Sequence, residues 1–112
     1  MIKAKDFIKT GFSADDAAKL NVVIEPLISE GDKIVVDFSE ITIFTTLFFN
    51  NVFAKYILQI GPDEYARQFE LRNLSELGET TYKHSYDNAL KYYNMTEESK
   101  KAHEEIVENP ED

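Results

Sequence analysis

Ser39, Thr42, Thr45 and Thr46 crowd a short segment between two apolar stretches. Before it runs Lys33-Ile34-Val35-Val36-Asp37-Phe38, and after it a helix-spaced run opens at Thr46. Hydroxyls in such a place have two uses. A threonine can cap the helix, its oxygen accepting from amides that lack an intrahelical partner, while the others solvate the loop. Alternatively, a hydroxyl there can carry a phosphate. Free amides and the helix dipole would hold the phosphate, and its charge would block or create a docking face. Asp37 closes the strand at the edge where α/β proteins place ligands. Its plainer use is to accept hydrogen bonds from the turn that follows. Glu40 stands three residues on and could pair with Asp37 around a hard cation, although no third ligand accompanies them.

Other chemistries lack their residues. The chain has no cysteine, which excludes disulfides, thiolate metal sites and cysteine nucleophiles. His84 and His103 are the only histidines, and neither has a second ligand at metal spacing or a nucleophile to activate. Tyr82, Tyr86, Tyr92 and Tyr93 read as packing residues rather than as a base-stacking platform. Gly11, Gly31, Gly61 and Gly78 are isolated, so no glycine loop cradles a phosphate. No cofactor is expected.

The elements that position the loop follow from periodicity. Residues 2–8 alternate apolar and polar groups and suit an edge strand. Ser13 should cap a first helix with Asp15 and Asp16 in its opening turn. Ala17, Leu20, Ile24, Leu27 and Ile28 form its stripe, and Pro26 should kink or shorten it. The consecutive apolar residues Ile34, Val35 and Val36 read as a central parallel strand covered on both faces. A second helix runs from about Thr46 to Ile60 and stops at Gly61-Pro62. Leu47, Phe48 and Leu58 lie off its main stripe, which fits burial between two layers or a homodimer or partner face. Asp63 to Gln68 suits a helical turn, residues 69–74 alternate as a strand, and Ser75 caps a third helix with the stripe Tyr82, Tyr86, Ala89, Leu90, Tyr93. This order predicts an α/β layer with parallel pairing.

The 112 residues suit one domain with a real core. The net charge of −9 disfavours nucleic acid and anionic membranes. No apolar run reaches membrane-spanning length. The start of the chain makes a poor secretion signal, so a cytoplasmic location is expected. Residues 97–112 hold seven acids and two lysines, with only Ala102, Ile106 and Val107 apolar. We divide the chain into an α/β domain over 1–94 and an acidic helix or disordered tail over 95–112, with disorder expected at 108–112.

The run Val36-Asp37-Phe38-Ser39-Glu40-Ile41-Thr42, with the later hydroxyl pair and the helix start Thr46-Leu47-Phe48-Phe49-Asn50, resembles the central motif of STAS domains. It more closely resembles the small bacterial STAS-like family of unknown function. The resemblance covers roughly residues 11–75. It implies a layered STAS-like α/β fold, with a mostly parallel or mixed sheet flanked by helices. In the anti-sigma-factor antagonists of this superfamily, a loop resembling Asp-Ser-Ser-Gly carries a serine that a partner kinase phosphorylates. Aligning Asp37 with the family's strand-end aspartate sets Thr45 and Thr46 on the Asp-Ser pair, Leu47 on the modified serine and Phe48 on the glycine. The chain departs from the pattern at those places.

The expectation is therefore a non-enzymatic regulatory module that works by protein contact. Its docking or phosphorylation loop would comprise Asp37, Ser39, Thr42, Thr45, Thr46, Phe48 and Asn50. Its partner would resemble a histidine-kinase-type ATPase or another signalling protein. The alternative is a small ligand-binding or enzymatic α/β protein that uses Asp37 and Glu40.

Overall fold

The computed structural model describes the chain over residues 1–107, with side chains over residues 1–95. The expectation for 108–112 lies outside the described residues.

Three parallel strands make the sheet. The central strand β2 (Ile34–Asp37) lies between β1 (Ile2–Lys3) and β3 (Phe69–Arg72). Ile2 pairs with Val36, and Ile34 to Asp37 run alongside Phe69 to Arg72. Alternation then sorts the residues onto two faces. Ile2, Ile34, Val36 and Phe69 are buried in the core, whereas Lys3, Val35, Asp37, Glu70 and Arg72 on the other face are half-buried or exposed. The α/β layer and parallel pairing agree with expectation. Cover on both faces does not: only one side of β2 is sealed, and Val35 marks the open side. β1 is also shorter than residues 2–8, because Ala4–Asp6 turn into a 3-10 helix that buries Ala4.

Helix α1 (Ala14–Ile28) starts where the sequence places it. Ser13 accepts from the Asp16 amide, and the Asp16 carboxylate takes the Ser13 amide in return. Ala17, Leu20 and Ile24 are its buried stripe, and the helix continues through Pro26 for two more residues. After β2 comes one continuous helix in three parts: α2 (Thr46–Phe49), a π turn (Asn50–Ala54) and α3 (Lys55–Ile60).

The π turn has a cause in the sequence. Apolar pairs repeat every four residues: Phe48-Phe49, Val52-Phe53, Tyr56-Ile57. In a regular α-helix a four-residue repeat drifts by about 40° per step. One wider i→i+5 turn takes up that drift, and all six side chains are fully buried. Phe48 is therefore core, which corrects its placement both off the stripe and in the docking loop.

Gly61, at φ +88°, ends α3 in a conformation open to glycine, and α4 (Pro62–Gln68) follows. Helix α5 (Glu76–Val107) starts after Ser75, whose hydroxyl accepts from the Gly78 amide. It runs to Val107, into the segment over 95–112 expected to be an acidic helix or disordered tail. Its residues Tyr82, Tyr86, Ala89 and Leu90 pack on the common core. Among the described residues no helix is long and apolar enough to cross a membrane.

Phenylalanines knit the core beneath the loop. Phe38 meets Phe44, Phe48, Phe49 and Phe53 edge-on at 5.7 to 6.4 Å between centroids. Each such pair contributes about 0.5–1.5 kcal/mol beyond its burial.

Candidate functional site

The segment from Asp37 to Thr46 is tied down at both ends. At the strand end, Asp37 Oδ1 accepts three hydrogen bonds: from the Ser39 amide (2.9 Å), the Ser39 hydroxyl (2.7 Å) and Asn73 Nδ2 (2.9 Å). The Asn73 amide, then the Ser39 hydroxyl and amide, hold the Asp37 carboxyl down to about 2. Asn73 makes its bond from the left-handed region, at φ +59°, just beyond the end of β3. Asp37 thus organises its own turn and clamps the end of β2 to the end of β3. The sequence reading missed Asn73. Its signal was an asparagine directly after a strand, the residue type that tolerates φ > 0 best after glycine.

Glu40 turns to Lys5, which lowers its pKa through a hydrogen bond and then through charge. Asp37 and Glu40 thus each have partners of their own. Among the described residues no group of three or more carboxylates or histidines stands close enough to hold a metal ion.

At the helix start the segment is bound to the loop before α1. The Gly11 amide donates to the Ile43 carbonyl (2.8 Å), and the Thr45 amide donates to the Gly11 carbonyl (2.9 Å). The Thr45 hydroxyl accepts from the Phe48 amide (3.1 Å) and donates to the Phe12 carbonyl. Thr45 is therefore the cap. Thr46 is the first helical residue and is half-exposed, and Thr42 is exposed. Asn50 lies one turn further along, where its side-chain oxygen accepts from the buried Ser85 hydroxyl (2.6 Å). It also lines a groove of about 350 Å³ between α3 and α5, together with Leu58 and Tyr92.

The seven residues expected to form one site thus separate. Asp37 and Ser39 build the strand-end turn, and Thr45 builds the cap. Thr42 and Thr46 face outward, Phe48 is core, and Asn50 is committed to α5.

Around Thr45 and Thr46 lies a corner that the sequence reading found only in part. Phe44 is buried at its centre, its ring close to the backbone of both Gly11 and Gly78. Phe12, Ile43 and Leu77, which adjoin these three residues in the chain, and Leu47 in the first turn of α2 are exposed. Phe12 is 57% exposed, Ile43 50%, Leu47 55% and Leu77 53%. The three segments that meet at Phe44, namely the loop before α1, the loop and start of α2, and the first turn of α5, thus each carry large exposed apolar residues. Only Leu47 was legible, from its place off the helical stripe. Phe12, Ile43 and Leu77 come from segments that only the tertiary fold brings together.

No curated protein and no solved structure matches the chain. A family model does match residues 16–79, more than half the chain, from the first turn of α1 through β2 and its loop to the first turn of α5. That span holds the strand-end clamp, the capped helix start and most of the exposed corner, and the chain belongs to the family of the STAS-like domain of unknown function (DUF4325).

Proposed function

We propose that this protein is a non-enzymatic regulatory module of the cytoplasm. It works by binding another protein of a signalling system through the corner around Thr46. One observation carries the reading: Phe12, Ile43, Leu47 and Leu77 are each half or more exposed on the segments that meet at the capped start of α2. Single exposed apolar residues are ordinary on a soluble domain, but a group of four at one corner is the composition of an interaction site. Burying the exposed half of Leu47 against a partner contributes about 1–1.5 kcal/mol. The accessible Thr42 and Thr46 sit at the rim, where a phosphate would alter the same contact.

The ligand-binding alternative has less support. The carboxylate oxygen of Asp37 that faces the turn already takes three donors, and Glu40 is held by Lys5.

The test is site-specific photo-crosslinking in the native cell. A benzophenone side chain at Leu47 should give a discrete protein adduct, and the same group at Val22, exposed on α1, should not. Equal, diffuse labelling from both positions would overturn the reading.

A further inference from the structure

Helix α5 outruns the helix it packs on. The α2–α3 helix stops at Gly61, and the Tyr93 hydroxyl reaches Gly61 there. From Tyr93, α5 continues to Val107, fourteen residues further and about 21 Å by helical rise. A helical stretch of about that length is marginal in water without packing. On the flank of the domain that leads to it, a groove runs between α3 and α5, with a floor of Ala54 and Ala89 and walls of Leu58 and Tyr92. The two alanines are buried, whereas Leu58, Tyr92 and, one turn on, Met95 are exposed. Lys55, at the groove's rim, is already held by Glu25. The sequence carries this face along the helix. Tyr92, Met95, Ser99, Ala102 and Ile106 follow at intervals of three, four, three and four, small or apolar residues at the spacing of a helix–helix seam.

We infer that two copies of this chain pair antiparallel through α5, so that the stretch 96–107 of each lies along the α3–α5 groove of the other. Groove and seam sit on one chain, next to each other, which is what a two-fold contact requires. A two-fold axis beside residues 93 and 94 sets Tyr92 of one copy against Met95 of the other. Residues 96–107 then run beside residues 80–91 of the second copy, where its groove lies. Charge selects this direction. The register sets Lys91 beside position 98 and His84 beside position 105 of the other copy, both glutamates. Lys91 and His84 are exposed, and Lys91 is in no ion pair among the described residues. A parallel pair would set Lys91 beside position 96, a threonine, and would leave both grooves uncovered.

Sedimentation equilibrium of the full chain reads the mass. Wild type should be a dimer at about 100 μM. Met95→Glu, which sets a charge in the seam, should be a monomer there, and Val22→Glu, at an exposed residue on α1, should stay a dimer. Lys91→Glu should weaken the dimer about tenfold, because the pair it breaks occurs twice. Lys91→Glu/Glu98→Lys should restore it. Pulsed electron resonance between spin labels reads the direction. The chain has no cysteine, so Asn94→Cys and Glu104→Cys each carry one label per copy. The antiparallel pair separates positions 104 by about 30 Å along the seam and keeps positions 94 level. The label distance should therefore be clearly longer at 104 than at 94.

A monomeric wild type would overturn the inference. So would a dimer that Met95→Glu leaves intact, since the contact would then lie on another face. Equal label distances at 94 and 104 would mean a parallel pair and an uncovered groove, and would overturn it as well. If Lys91→Glu weakens the dimer and Lys91→Glu/Glu98→Lys does not restore it, positions 91 and 98 do not meet and the antiparallel register is wrong.

Discussion

The ring of Phe44 lies directly against the backbone of Gly78, so close that a Cβ there would stand 2.9 Å from Phe44 Cε2. On the other side a Cβ on Gly11 would stand 2.7 Å from Phe44 Cδ1. The two glycines let α5 and the loop before α1 close onto one aromatic ring, and that closure assembles the exposed corner.

Alanine should therefore be unwelcome at both glycines. At position 78 the overpacking cost of about 1–3 kcal/mol opposes a helix-propensity gain of about 1 kcal/mol. Gly78→Ala should lose about 1 kcal/mol, and Gly11→Ala, with no helical gain, about 2 kcal/mol. Urea denaturation measures both. Adding Phe44→Leu should relieve part of each loss, as expected for residues in contact. If Gly78→Ala stabilised the protein, the ring would have room to move and the closure argument would fail.

The two adjacent threonines should behave differently. Thr45→Ala removes the cap on α2, about 1 kcal/mol, together with the bond to the Phe12 carbonyl, for a total of about 2 kcal/mol. Thr46→Ala should change stability by less than about 0.5 kcal/mol, because its hydroxyl is neither cap nor core. Thermal melts of the two variants side by side test the assignment, and equal losses would contradict it.

Asp37 predicts a pH dependence. Its folded pKa of about 2 lies below the ordinary 3.8, so the unfolded chain takes up the proton first as pH falls. The contribution of the clamp is complete above about pH 4 and is lost as pH falls from there through about 2. Urea midpoints measured across this window should fall less steeply for Asp37→Asn than for wild type. Parallel curves would mean that Asn73 and Ser39 do not hold the carboxylate in solution.

Local signals made much of this fold readable. The Ser13 cap, the run Ile34-Val35-Val36 and the stop at Gly61-Pro62 each act within a few residues, and each element begins or ends close to where they place it. Most departures from the expected arrangement come from features set by distant parts of the chain. Three consecutive apolar residues imply burial on both faces, but nothing local says whether a second helical layer exists, and Val35 lies on the open side. Phe48 is the exception: it falls off the stripe on a strict 3.6-residue wheel, and the local period-four pairing that calls for a π turn brings it into the core. Nothing local marks Phe44 as core, since its partners Gly11 and Gly78 lie more than thirty positions away on either side. The corner was half-legible for the same reason. Leu47 showed itself by spacing, whereas Phe12, Ile43 and Leu77 become neighbours only after the three segments meet.

The claim that this corner is a docking site is tested most directly by quantitative affinity capture from the native cell, with three baits in parallel: wild type, Ile43→Ser/Leu47→Ser, and Val22→Ser as a control at an exposed apolar residue on α1. Both exposed-site changes should leave the fold intact by circular dichroism. The account predicts a protein that is enriched equally by wild type and Val22→Ser and falls at least about tenfold with Ile43→Ser/Leu47→Ser, consistent with the loss of two apolar anchors. Equal capture of the same proteins by all three baits would contradict it.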